Sequence, residues 1–127
     1  MRILIIDDDI TVLKALELAI RTRRPHWEAD VLLDPTGLQD RLIQAKYDVV
    51  LSDISMPQVN GMTVLRRVKA IVPLTPVVFL TGYRDRYAAA AWELGAFGVL
   101  DKPVDINLLF ETLEAAALCR LDRQSTN

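Results

Sequence analysis

The sequence predicts an α/β fold, (βα)5: one doubly wound parallel sheet of five strands with helices on both faces. Three observations predict it. Short apolar runs rich in Val, Ile and Leu recur at 2–6, 28–33, 48–52, 76–81 and 97–100. Apolar residues in immediate succession suit strands covered on both sides. Each run is followed by a stretch of helical periodicity, and regular alternation of the two implies parallel pairing through crossover helices. Finally, no repeat, low-complexity stretch or long linker interrupts the series.

The first run, "RILII" (2–6), is β-branched and apolar on both faces. Residues 10–24 then place Ile10, Leu13, Leu16 and Ile20 at helical spacing, opposite Lys14, Glu17 and Arg21. Asp8 or Asp9 supplies the cap and Pro25 the stop. "EADVLL" (28–33) is a second, weaker strand, and 36–46 a helix with Leu38, Leu42 and Ile43 inward. "DVVLS" (48–52) is the third strand. After a turn at Gly61, residues 62–72 turn Leu65 and Val68 inward and Arg66, Arg67 and Lys69 outward. "PVVFLT" (76–81) is followed by an Ala-rich helix over 85–94, ended by Gly95, with Trp92 expected in the core. "FGVL" (97–100) and a helix over 105–121 complete the domain, 1–121. Residues 122–127 are expected to be a polar tail, the start of a linker. Right-handed crossovers leave few topologies, and the expected strand order is 2-1-3-4-5, the flavodoxin-like arrangement.

Composition narrows the function classes. The 127 residues fit one domain, with 51% hydrophobic and 25% charged residues, close to ordinary globular values. One cysteine, Cys119, excludes an internal disulfide. A net charge of -2 without a basic cluster argues against direct nucleic-acid contact. No apolar stretch has membrane-spanning length, and "MRILIIDDD" does not read as a signal peptide. A soluble cytoplasmic domain is the expectation. His26, alone of its kind, is expected at the surface, and Trp27 as a lid over the sheet's lower edge.

In such a sheet the site lies beyond the carboxyl ends of the strands, at the switch point between strands 1 and 3. Strand 1 ends in Asp7-Asp8-Asp9, strand 3 in Asp53, strand 4 in Thr81-Gly82 and strand 5 near Lys102-Pro103. Any one of these acids is ordinarily a cap or turn former. Their convergence on one rim is what points to chemistry. Three carboxylates in a shared pocket repel, and a divalent cation relieves the repulsion. Oxygen-only ligands select a hard metal such as Mg²⁺. A carboxylate beside such a metal, an ammonium and a hydroxyl suits phosphoryl transfer, with Asp53 as nucleophile forming an aspartyl phosphate. A nucleotide- or flavin-binding site of the same topology is disfavoured, because the loop after strand 1 is acidic rather than glycine-rich.

"ILIIDDD", "DVVLSDISMPQVNG", "VVFLTGY" and "GAFGVLDKP" appear in that order. With them the chain, from residue 2 to about 120, resembles the receiver domain of two-component response regulators, "LTGYRD" being most similar to nitrogen-fixation-type regulators. The resemblance implies that Asp53 is the phosphoacceptor and that Asp7 and Asp8 are the acidic pair, Asp8 the more direct Mg²⁺ ligand. It makes the Ser55 carbonyl a further ligand, Thr81 the hydroxyl that moves toward the phosphoryl group, and Lys102 its ion-pair partner. The bond before Pro103 is implied to be cis. The implied partners are a sensor histidine kinase or phosphotransfer protein, donating from phosphohistidine, and an output partner or domain. The chain would then be a switch that catalyses only its own phosphotransfer and dephosphorylation. The rival reading is a receiver-like binding scaffold that carries no phosphate. Where the family often has an aromatic residue before the site lysine, this chain has Val99. That departure predicts signalling through the loop after Thr81, with Tyr83 or Tyr87 changing environment, to a face made by helix 4, strand 5 and helix 5. Dimerisation on phosphorylation is a further expectation.

Overall fold

The computed structural model describes residues 1–57, 59–82 and 87–125, with side chains described as far as Leu121. In chain order the elements are β1 (Arg2–Ile6), α1 (Ile10–Arg23), β2 (Glu28–Leu32), a 3₁₀ turn (Pro35–Gly37), α2 (Leu38–Gln44), β3 (Val49–Asp53), α3 (Gly61–Ile71), β4 (Val77–Thr81), α4 (Ala88–Glu93), β5 (Gly98–Asp101) and α5 (Ile106–Ser125). The strands form one parallel sheet in the order β2-β1-β3-β4-β5. The fold class and strand order expected from the sequence are those observed.

Successive side chains of a strand point to opposite faces, so every strand feeds two cores. Leu4, Ile6, Val50, Val77 and Phe79 meet Leu38, Leu42, Val64, Leu65, Val68 and Ala91 on the α2–α3–α4 side. Ile3, Ile5, Leu51, Val78 and Leu80 meet Leu13, Leu16, Ile20, Leu109, Phe110 and Leu113 on the α1–α5 side. Trp27 packs edge-on against Phe110, ring centroids 5.4 Å apart, and closes that layer from below. β1, β3 and β4 are covered on both faces, which accounts for their uninterrupted apolar runs.

Three expected core residues lie at the surface: Ile10 is 51% exposed, Ile43 66% and Trp92 54%. Ile10 opens α1 beyond the last residue of β1, where the sheet no longer lies beneath it. Ile43 follows Leu42 by one position, about 100° around the helix, and Leu38 and Leu42 already define the buried stripe. In α4 the buried residue is Ala91. A residue without bulk lets this short helix lie close to the layer beneath, and Trp92 turns outward. α5 continues through Ser125, past the boundary at 121 expected from composition. Residues 83–86, including Tyr83 and the expected first turn of helix 4, lie outside the described residues.

The helix ends follow capping chemistry. Of the two candidates for the α1 cap, Asp9 fills the role, accepting from the Thr11 N–H at 2.9 Å. Gly95 follows α4 with φ +94°, the left-handed conformation that a glycine supplies at little cost. Asn60 caps α3, its side-chain oxygen accepting from the N–H groups of Met62 and Thr63 at 2.9 and 3.1 Å. Asn60→Ala is expected to cost about 1 kcal/mol in chemical denaturation, with Asn60→Asp retaining most of the difference. Equal losses in both variants would mean that the cap contributes little.

Candidate functional site

Parallel pairing fixes which residues share the carboxyl rim. Ile6 pairs with Ser52, Asp53 with Leu80, and Thr81 with Asp101. The residues that follow or end these strands, namely Asp7, Asp8, Asp53, Thr81 and Lys102, are therefore brought to one edge by register alone. Carboxylate oxygens of Asp7, Asp8 and Asp53 all lie within 4.8 Å of one another. The Lys102 ammonium sits 3.4 Å from Asp53 Oδ1 and 3.8 Å from Asp7 Oδ2. Lys102 is held from behind, because its backbone N–H donates to the Thr81 carbonyl at 2.8 Å. Its bond to Pro103 is cis, as the resemblance implied.

The carboxylates differ in surroundings. Asp7 is 2% exposed and Asp53 9%, so Asp53 is less open to solvent than a residue at a strand end suggests. Asp8 is the most open and faces, with Ser55, Met56, Pro57, Asn60 and Tyr87, a broad cleft above the rim. Asp7 Oδ1 accepts the Asp9 N–H at 2.9 Å. Burial pushes the Asp7 carboxyl up to about 6, aided by the nearby Asp53 and Asp8 charges and opposed by the Asp9 N–H and Lys102. Burial also raises Asp53, against the charge and hydrogen bond of Lys102 and the backbone N–H of Ser55. The Thr81 side chain is buried, and its hydroxyl donates to the Gly82 carbonyl at 3.2 Å. The described contacts of Thr81 thus turn its hydroxyl toward Gly82 rather than toward Asp53.

Among the described residues, one ammonium faces the three clustered carboxylates and leaves negative charge in excess. The donor set is all oxygen, and three carboxylates converging on one point suit a hard divalent cation such as Mg²⁺. The residues present therefore fit the metal that the sequence suggested.

The raised Asp7 value has a thermodynamic corollary. A carboxyl that is harder to ionise in the folded protein binds more protons there than in the unfolded chain. The cost is absent below about pH 4, where both states are protonated, and is complete above about pH 6. Asp7→Asn keeps an acceptor for the Asp9 N–H and removes the buried charge. In metal-free buffer it is expected to be more stable than the parent by on the order of 1–2 kcal/mol at pH 7.5, the gain fading by pH 4.5. Urea titrations at the two pH values read this. A variant less stable at pH 7.5 would make the Lys102 pair the dominant interaction.

Three residues of structural weight were not singled out from sequence. Asn60 was hidden in an apparently ordinary turn, although Asn immediately before a helix is a recognisable cap. Tyr47, at the opposite rim, donates to Asp30 Oδ2 at 2.7 Å, and Arg2 binds the same oxygen at 2.8 Å. Arg120 lies among apolar positions late in α5. The Tyr47 and Arg120 partners are remote in sequence and leave no local signature.

Comparison with known proteins agrees with this geometry. Residues 3–114 match the model of the response regulator receiver domain family. The transcriptional regulatory protein ZraR of Escherichia coli K12 is 34% identical over 117 residues, covering 90% of this chain and 26% of that protein. The DNA-binding transcriptional regulator NtrC of Proteus hauseri is 34% identical over 113 residues, 88% of this chain and 24% of the relative. The chain thus spans about a quarter of the length of these curated relatives. Among solved structures, a response regulator receiver domain protein from Clostridium thermocellum superposes with a TM-score of 0.85 at 32% identity, covering 98% of this chain and 97% of that one. Full-length FixJ from B. japonicum does so with 0.86 at 28%, covering 94% and 58%. With the family model matched over most of its length and the expected sheet beneath the expected rim, the chain belongs to the response regulator receiver domain family of two-component systems.

Proposed function

We propose that the protein is a phosphorylation-dependent signalling switch that accepts a phosphoryl group on Asp53 from the phosphohistidine of a sensor kinase or phosphotransfer protein. The observation that carries this is the Lys102 ammonium 3.4 Å from Asp53 Oδ1, on the rim where Asp7 and Asp8 also converge. An Asp53 oxygen attacks phosphorus, the P–N bond breaks, and its electron pair returns to the imidazole. Lys102 favours the ionised form of Asp53 against the effect of burial and is positioned to pair with an equatorial oxygen of the transferring group. Thr81 ends the neighbouring strand, and rotation of its hydroxyl away from Gly82 would let it donate to the phosphoryl group. Asp7, Asp8, Asp53 and the Ser55 carbonyl would hold Mg²⁺. When bound, the metal supplies neutralisation of the charge gathered by three carboxylates and the phosphoryl oxygens. The same site would catalyse loss of the phosphate, and no other substrate is assigned to it.

The proposed output surface is the face of α4, β5 and α5. Val99 is half-buried against the α2–α3–α4 core and offers no ring to swing inward. The change would instead pass through the segment after Thr81 to α4 and Tyr87. Dimerisation on phosphorylation belongs to this reading. NtrC is named a DNA-binding regulator, but it extends far beyond the matched region, and an output of that kind would belong to such an additional part. We assign no nucleic-acid contact and no membrane contact to residues 1–121. No helix among the described residues is long and apolar enough to cross a membrane, and the proposed location is the cytoplasm. Incubation with acetyl phosphate and Mg²⁺, followed by intact mass, is expected to add one phosphoryl group. An unchanged mass would favour a binding scaffold that carries no phosphate.

A further inference from the structure

Parallel register lines up one cross-strand row of side chains just below the phosphorylation rim: Leu32, Ile6, Ser52, Phe79 and Val99. Neighbours in such a row stand on the same face of the sheet. Here it is the α2–α3–α4 face, where Leu32, Ile6 and Phe79 belong to the core and Val99 packs against it. Ser52 is the one polar member of the row, and it is 0% exposed. Two residues earlier, the same central strands place Leu4, Val50 and Val77, all apolar. A hydroxyl at such a depth costs desolvation unless it is bonded, and an apolar side chain would fill the place without that cost.

The hydroxyl does have a partner, and the partner is the backbone of Asp53. Ser52 Oγ donates to the Asp53 carbonyl at 2.9 Å. The peptide that leaves Asp53 is thereby held at both ends. Its N–H, that of Ile54, donates to the Leu80 carbonyl at 3.1 Å, toward β4. In a trans peptide the carbonyl points the opposite way, toward β1. β1 has ended by then, since its last residue, Ile6, pairs with Ser52 and the Asp7 N–H turns to Leu32 on β2. The Ser52 hydroxyl stands where the ladder has run out. A fixed peptide plane bears on the site in two ways. It holds the Asp53 backbone in the conformation that brings Oδ1 to 3.4 Å from the Lys102 ammonium. It also sets the direction in which the chain enters Ser55, whose N–H donates to the Asp53 carboxylate and whose carbonyl would hold Mg²⁺.

We propose that Ser52 is a positioning residue for phosphoryl transfer: through the Asp53 carbonyl, its buried hydroxyl sets the orientation of the nucleophilic carboxylate and of the Ser55 carbonyl. The inference rests on Asp53 being the phosphoacceptor. Wholly buried, Ser52 does not reach the transferring group. It acts on geometry, and transfer rates respond steeply to displacements of about 1 Å.

The test uses the isosteric pair Ser52→Thr and Ser52→Val, both β-branched and suited to a strand, which differ only in a hydroxyl for a methyl. Ser52→Ala is a third variant that adds no bulk. Each is labelled by acetyl phosphate at saturating Mg²⁺, followed by intact mass, and each is melted. Ser52→Thr is expected to label within about twofold of the parent, and Ser52→Val and Ser52→Ala about fivefold or more slower. The rate constant at saturating acetyl phosphate should fall, rather than the half-saturating concentration rise. A role as core filler would give the opposite order, since Val suits an apolar row better than Thr. Equal rates for Ser52→Thr and Ser52→Val, or parent-like labelling of Ser52→Ala, would overturn the proposal and leave Asp53 as the acceptor. If Ser52→Val melts well below Ser52→Thr, the comparison of Ser52→Ala with the parent decides alone. A parent that takes up no phosphate would overturn the reading of Asp53 itself, and this inference with it.

Discussion

Asp53→Asn is expected to take up no phosphoryl group from acetyl phosphate or from a phosphorylated kinase domain, in the presence of Mg²⁺, over times in which the parent is labelled to completion. The substitution keeps the shape of the side chain and removes the nucleophilic oxygen's charge. It also removes a charge that burial disfavours, so the variant should melt no lower than the parent at pH 7.5 without metal. Loss of labelling with retained stability identifies Asp53 as the acceptor. Labelling that survives, with a phosphate still cleaved by hydroxylamine, would move the acceptor to Asp7 or Asp8. Labelling lost together with the fold would make Asp53 structural, held there for its ion pair with Lys102.

Gly61→Ala should be the most damaging glycine-to-alanine change among the described residues. A Cβ at this position would stand 2.8 Å from Phe79 Cε1 and 2.9 Å from the Ile54 Cα, and the Gly61 N–H already donates to the Ile54 carbonyl at 2.6 Å. The obstacle is partly backbone, so no rotamer change relieves it. A loss of about 2–3 kcal/mol is expected in urea unfolding, near the upper end of ordinary overpacking. The displaced segment is the one that follows Asp53, so slower phosphorylation by acetyl phosphate should accompany the loss of stability. Gly37→Ala is the control: its Cβ would meet Leu32 Cδ1 at an ordinary 3.4 Å, and the effect should be small. Similar losses at both positions would mean that crowding at Gly61 is relieved by movements too small to matter.

Much of this molecule was legible because its two periodicities differ so clearly. Val49–Leu51 and Val77–Leu80 are apolar without a break and read as strands buried on both faces; Leu13, Leu16 and Ile20 read as one helical stripe. Once the strands were located, register alone put Asp7, Asp53 and Lys102 on one rim, and the distances agree. What sequence did not yield was depth. Nothing local distinguishes Ile10, at a helix end past the sheet, from Leu13 over its middle. Nor does a run of four alanines say that Ala91 is the one that lies inward while Trp92 faces solvent. A place at a strand end does not say that Asp53 is only 9% exposed. The Tyr47–Asp30–Arg2 and Arg120–Asp48 contacts join residues 17 to 72 positions apart, a separation at which pairing leaves no pattern to read.

The order of the strands also bears on how such domains behave in a crowd. A sheet that opens at β2 and β5 presents two unpaired backbone edges, each a template on which another chain could crystallise into a longer sheet. Here both are poor templates. β2 carries Glu28 and Asp30, the latter tethered to Arg2 and Tyr47, and β5 is only four residues long and ends in Asp101. Like charges brought edge to edge along β2 would repel, and β5 offers too few rungs to hold a neighbour. Growth by adding strand to strand is thereby discouraged, and the dimer proposed to follow phosphorylation would have to join helical faces instead of sheet edges.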